Sequence, residues 1–205
     1  VYRINKGEKA KIAKIYFLGD KKIRDKKLRD IIISEEAKFW KFISRNVYLN
    51  QERIELDKRL LINFYKNKGY FKANIESDTI QFDENNNFKL VFKIDAGEKY
   101  FFNKFTVNYP DNYDEIHFKK IDKKLNKFSN ERYSFKILEK ILKEIEAIAK
   151  NENLEFVDAN VDQKIFKDNL VDVNIDIIES DKFYIKKINV LGNNITIEDV
   201  VRNQL

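Results

Sequence analysis

Val1-Tyr2-Arg3-Ile4-Asn5-Lys6-Gly7-Glu8-Lys9 returns, 90 residues later, as Val91-Phe92-Lys93-Ile94-Asp95-Ala96-Gly97-Glu98-Lys99. The same displacement carries Ile12, Ile15 and Phe17 onto Phe102, Phe105 and Val107. A weaker third copy runs from Val173 through Ile175, Ile177 and Lys182-Phe183-Tyr184 to Gly192-Asn193. Self-similarity at a steady period marks a repeat architecture, here with units of about 85 residues. Each copy reads as a strand ending one unit, a turn, and a strand opening the next. The expected division is the end of one repeat at 1–8, complete repeats at 9–97 and 98–181, and the start of another at 182–205.

Working outward, Ala13, Ile15 and Phe17 alternate with Tyr16 and Leu18, which is strand periodicity closed by Gly19-Asp20. Ile23, Leu28, Ile31 and Ile32 have helical spacing and predict a short helix. The aromatic run Phe39-Trp40-Lys41-Phe42-Ile43 follows, either packed beneath its own helices or serving a partner. Asn50 is placed to cap a second helix whose apolar face is Ile54, Leu60, Leu61, Phe64 and Tyr65. Gly69 is placed to end it with positive φ. A strand is expected from Phe71 to Phe82, with a bulge near Glu76–Thr79 because Ile75 and Ile80 are an odd number of residues apart. Phe88, Leu90, Phe92 and Ile94 alternate as the last strand. The second unit repeats this β-α-α-β-β order, with Ser134 expected to cap a helix faced by Ile137, Leu138, Ile141, Leu142, Ile145 and Ile148.

Composition removes several function classes. The 205 residues contain no cysteine, so disulfides and thiolate metal sites are excluded. His117 is the sole histidine, which leaves no histidine pair for a metal and no catalytic triad. No glycine-rich phosphate loop occurs. The expectation is no enzyme, no catalytic residue, no metal and no cofactor. The net charge of +6 suits an acidic partner, but Lys alternates with Asp and Glu along the whole chain. Small α/β units with lysines and aromatics also admit a nucleic-acid-binding reading. Against it, Phe88 and Phe92 are in phase with the core positions Leu90 and Ile94, whereas an RNA-binding sheet exposes its rings.

The I-x-x-I-x-F-x-G pattern at Ile12–Gly19, with Phe39-Trp40, Tyr48, Asp57, Leu60, Phe64-Tyr65 and Gly69-Tyr70, resembles POTRA domains, the polypeptide-transport-associated repeats. The likeness covers the whole chain and is similar to the third, fourth and opening fifth repeat of an outer-membrane β-barrel assembly factor. It implies an α+β fold of tandem repeats, each a three-stranded mixed sheet with two helices on one face. It also implies a periplasmic scaffold at the bacterial outer membrane, attached to its own C-terminal β-barrel. Such a scaffold receives unfolded outer-membrane proteins and docks accessory lipoproteins. A related protein-translocating pore carries the same repeats and is the neighbouring alternative.

A three-stranded sheet leaves two edges, each able to add an extended peptide through backbone hydrogen bonds. The likeness places the first strand beyond the last, which leaves the Phe71–Phe82 strand outermost. The expected acceptor is therefore Lys72, Ala73, Asn74, Ile75, Glu76, Ser77 and Asp78, with outward-facing amides at Asn74 and Glu76. Phe39, Trp40 and Phe42 form the second candidate patch.

Overall fold

A computed structural model describes residues 9–38, 44–81, 83, 87–109, 119–151 and 157–179. In chain order the elements are β1 (Lys11–Asp20), α1 (Asp25–Arg29), a 3-10 turn at Arg45–Val47, α2 (Gln51–Lys66), β2 (Asn74–Gln81) and β3 (Asn87–Asp95), followed by β4 (Phe101–Asn108), α3 (Lys119–Phe128), α4 (Phe135–Asn151), β5 (Val157–Ile165) and β6 (Leu170–Glu179). They build two three-stranded sheets with the orders β1-β3-β2 and β4-β6-β5. In each, the central strand runs parallel to the first and antiparallel to the outermost. Both sheets are mixed, as an α+β repeat requires.

One face of each sheet packs on helices. In the first repeat, Ile12, Ile15, Phe17, Ile75, Leu90, Phe92 and Ile94 meet Leu28, Ile54, Leu61 and Tyr65. Phe17 and Phe92 stack across the parallel pair with centroids 5.6 Å apart. The second core joins Phe102, Val171, Val173, Ile175 and Ile177 to Leu125, Leu138, Ile141 and Ile145. Burying such side chains contributes roughly 1.5–3 kcal/mol each, which is what holds helices this short against the sheets.

A bulge exists, but in β1. The β1–β3 register shifts between Ile12 and Lys14, and the β4–β6 register shifts between Phe102 and Phe105. Ile12 and Ile15 are three apart, yet both are buried, because the extra residue restores the phase. The β2–β3 register runs unbroken from Asn74 to Gln81, so the bulge expected there is absent. Ile80 instead turns to solvent at 54 % exposure, and nothing demands that it share the face of Ile75.

The first helix is shorter than its apolar spacing predicts. It stops at Arg29, and Ile31, Ile32 and Ile33 leave it. Three consecutive β-branched residues are poor helix formers. Two amides beyond the helix are bound by α2: the buried Asp57 carboxylate accepts from Ile33 N–H at 2.6 Å and Ser34 N–H at 3.2 Å. Asn50 caps α2 as expected, its Oδ1 accepting from Arg53 N–H at 2.7 Å.

The end of α2 joins the two repeats. Gly69 has φ +94° and its carbonyl accepts from Tyr100 N–H at 2.8 Å. Asn67 Oδ1 accepts from Lys136 N–H, 2.8 Å away in the first turn of α4, and Ser134 Oγ–H donates to the same oxygen at 3.4 Å. The side chain that caps α4 is therefore Asn67 of the preceding repeat, where Ser134 is expected, and Ser134 instead donates to that same Asn67 oxygen. Tyr70 and Phe71 lie in a turn rather than in β2. The Phe71 ring packs in the second core, 4.8 Å from the Tyr133 ring and 5.6 Å from that of Tyr100. A Cβ at Gly69 would also sit 2.8 Å from Arg132 Cγ. Gly69→Val should cost about 1–2 kcal/mol or more, through left-handed strain and displacement of the Arg132 side chain. Urea unfolding at unchanged m-value checks it, and wild-type stability would contradict the strain.

Candidate peptide-accepting edge

Strands are sequence-tolerant acceptors only where their outer backbone groups are unpaired, so the outward groups of each edge decide the site. On β1 the Ile15 N–H donates to Glu36 Oε1 at 3.0 Å, and the Ile15 carbonyl accepts from Arg29 Nη2 at 2.6 Å. Arg29 Nη1 closes the triangle onto Glu36 Oε1 at 2.6 Å. Two more carbonyls are taken, Ile12 by Ala37 N–H at 2.7 Å and Ala10 by Leu49 N–H at 2.9 Å. The edge of β1 is covered from Ala10 to Ile15. Burial would raise the Glu36 pKa, but the Ile15 amide and the Arg29 guanidinium outweigh it and hold the carboxyl below its ordinary value.

The orientation of Ile15 propagates through the sheet. Successive residues of a strand aim their N–H and C=O to opposite sides. Ile15 aims both away from β3, so Tyr16 aims both toward it. Tyr16 is in register with Val91, and parallel pairing then turns Leu90 and Phe92 toward β1. Val91 and Lys93 must face β2, where their partners are Asp78 and Glu76. The amides of Glu76 and Asp78 are thus spent inside the ladder, and Ile75, Ser77 and Thr79 carry the outward groups. This corrects the expectation that Asn74 and Glu76 face outward.

Among the described residues, no backbone or side-chain group bonds the outer side of Asn74–Gln81. Lys72 and Ala73 do not belong to this edge. Ala73 N–H is turned back onto Tyr70 O at 3.2 Å, because the chain is still leaving the Gly69 corner. Of the expected acceptor residues, Asn74, Ile75, Glu76, Ser77 and Asp78 are brought together on the open strand. Phe39, Trp40 and Phe42 lie outside the described residues.

The flanks of the two edges differ chemically. Beside the open edge, Asn74, Glu76 and Asp78 are exposed, and Asp78 Oδ2 lies 2.5 Å from Lys93 Nζ. That hydrogen bond, with the Asp78 charge behind it, raises the Lys93 pKa. Beside the closed edge, Tyr16 and Leu18 are 41 % and 51 % exposed. In the second repeat the outermost strand is β5, where the Ala159 amide is taken by its neighbour's Asp158 Oδ1 at 2.8 Å. Among the described residues no carboxylate or histidine group is arranged to hold a metal ion. No helix among them is long and apolar enough to cross a membrane.

Residues 10–97 match the family model of POTRA, the surface antigen variable number repeat. The chain is 27% identical over 203 residues to the outer membrane protein assembly factor BamA of Neisseria meningitidis, covering 98% of this chain and 25% of that protein. It is 25% identical over 194 residues to BamA of Neorickettsia risticii, covering 95% and 26% respectively. It therefore spans about a quarter of the length of these curated relatives. Among solved structures it is similar to repeats three to five of Haemophilus influenzae BamA, with a TM-score of 0.73 at 16% identity, covering 98% of this chain and 79% of that one. A structure of Haemophilus ducreyi BamA lacking its first three repeats matches with a TM-score of 0.57 at 12% identity, covering 84% and 30%. Residues 10–97, matched by the family model, thus form a POTRA repeat, and the second repeat is built to the same strand order.

Proposed function

We propose that the chain is the periplasmic POTRA scaffold of an outer-membrane β-barrel assembly factor, and that its first repeat receives unfolded outer-membrane proteins as strands added to β2. The single observation that carries the strand-addition reading is the asymmetry of the first sheet. One edge is covered from Ala10 to Ile15, and the other has no bonding partner among the described residues along Asn74–Gln81. A receptor for many clients needs backbone recognition, since backbone groups are common to every sequence. The polar flank of β2 keeps that edge from pairing with its own kind. The relatives' names support an outer-membrane protein assembly factor, and a C-terminal barrel belongs to the same reading. Docking of accessory lipoproteins belongs to the same reading, with the Phe39, Trp40 and Phe42 patch as its candidate. The buried Phe92 ring, stacked on Phe17, is unavailable to a nucleobase, which favours a protein partner over a nucleic acid.

Proline substitution tests the edge. Ser77→Pro and Thr79→Pro remove outward donors and leave the β2–β3 ladder intact. Glu76→Pro and Asp78→Pro break ladder bonds. In titrations with an unfolded outer-membrane protein fragment, the first pair should fold normally by circular dichroism and bind at least about tenfold more weakly, the loss of one or two backbone hydrogen bonds. The second pair should instead lose stability. Wild-type binding by folded Ser77→Pro and Thr79→Pro would place the site elsewhere.

A further inference from the structure

We propose that β1 is a second peptide-accepting edge of the first repeat, held shut by the Arg29–Glu36 pair acting as a side-chain stand-in for an added strand. The proposal rests on the reading that this sheet recruits strands, and extends it to the opposite edge.

The geometry at Ile15 is that of a strand partner. A neighbouring chain would offer one carbonyl to the Ile15 N–H and one N–H to the Ile15 carbonyl. Glu36 Oε1 supplies the acceptor at 3.0 Å, and Arg29 Nη2 supplies the donor at 2.6 Å. The two side chains are tied to each other at 2.6 Å, so they leave together. Arg29 also lies over the Phe17 ring, 5.8 Å from its centroid, which holds the guanidinium beside the strand. Glu36 is 14 % exposed and Arg29 40 %, so the pair can be reached from solvent.

The latch is placed where it decides the length of the free edge. By the alternation set at Ile15, the outward residues beyond the bulge are Ile15, Phe17 and Gly19. The Gly19 carbonyl is bonded to Lys21 N–H at 3.0 Å. With the latch closed, Phe17 and the Gly19 amide are all that remain unbonded among the described residues, too little for a stable strand. With it open, Ile15, Phe17 and the Gly19 amide offer five outward backbone groups, one fewer than Ile75, Ser77 and Thr79 on β2.

The chemistry of the flank names the occupant. An added strand would lay alternate side chains beside Tyr16 and Leu18, the most apolar part of the outer face, so β1 fits an extended segment with apolar residues at alternate positions. An apolar, flat edge is the kind that pairs indiscriminately. That is the physical reason for this edge to carry a latch while the charged β2 edge does not.

The test uses the 205-residue chain and a fluorophore-labelled ten-residue peptide alternating valine with threonine. Arg29→Ala/Glu36→Ala should stay folded and exchange the Ile15 amide at least about tenfold faster than wild type, as an unlatched edge would. It should bind two peptides where wild type binds one, and still bind one when Ser77→Pro is added. Glu36→Gln keeps the acceptor oxygen and should behave as wild type. A folded double variant with fast Ile15 exchange but a single site, lost on adding Ser77→Pro, would overturn the proposal and leave the β2 reading intact. Absence of peptide from wild type with one site gained in the double variant would overturn β2 and support the latch. Where the double variant does not fold, Glu36→Ala carries the test. Failure of both to fold would make the pair a structural tie and overturn the latch.

Discussion

Gly19→Ala should destabilise the first repeat by about 3 kcal/mol or more, among the largest effects available to a single methyl group. Gly19 ends β1 with φ +90°, a conformation that costs an alanine roughly 1–2 kcal/mol. The added Cβ would also lie 2.3 Å from the Ile94 carbonyl oxygen, well inside van der Waals contact. That oxygen belongs to the central strand, which is paired on both sides, so it cannot withdraw without disturbing two ladders. Gly69 is the internal comparison. Its φ is similar, but its added Cβ would meet side-chain carbons, Arg132 Cγ at 2.8 Å and Cδ at 2.9 Å, rather than the backbone of a paired strand. Urea denaturation should therefore rank Gly19→Ala well below Gly69→Ala. A Gly19→Ala protein within about 0.5 kcal/mol of wild type, the range of an ordinary surface change, would show that the close approach is relieved.

Asp57→Ala should cost about 3 kcal/mol. The residue is fully buried on α2, and its two oxygens accept the Ile33 and Ser34 amides. Removing the carboxylate leaves one buried and one partly buried donor without partners, and a buried unpaired donor costs roughly 1–3 kcal/mol. Asp57→Asn keeps one acceptor and aims an amide at the other donor, so it should recover only part of the loss. Ser34→Ala is the control, since its buried Oγ has no hydrogen-bond partner among the described residues and its removal should be nearly neutral. Denaturant midpoints for the three proteins check the order. Amide exchange at Ile33 and Ser34 should accelerate in Asp57→Ala and stay slow in Ser34→Ala. Equal stability of Asp57→Ala and wild type would mean that these amides find other acceptors.

Much of this was legible in the chain because it rests on periodicity and on single-residue backbone preferences. The repeat at 90 residues located both sheets, alternation located the core of β3, and Asn50 and Gly69 marked the ends of α2. The bulge was also written there, in the spacing of three between Ile12 and Ile15 and between Phe102 and Phe105. The odd spacing of Ile75 and Ile80 points to β2 only if Ile80 is buried, and it is exposed. An apolar residue on an exposed strand end violates no rule, whereas two core residues at odd spacing within one paired strand require an extra residue.

The amino-acid sequence by itself determined the repeated unit, its β-α-α-β-β order and the side-chain phase of its strands, since these follow from local spacing. Tertiary structure decided which edge is open. Backbone groups carry no side-chain signal, so the direction of an amide at Ser77 or Glu76 depends on register across three strands. It depends equally on a guanidinium and a carboxylate, 14 and 21 residues from Ile15, that happen to close the far side. The same holds for Phe71, whose ring leaves its own repeat for the next, and for Asn67, which caps a helix 69 residues away. Contacts between groups so distant in the chain are fixed by packing, and no local pattern records them.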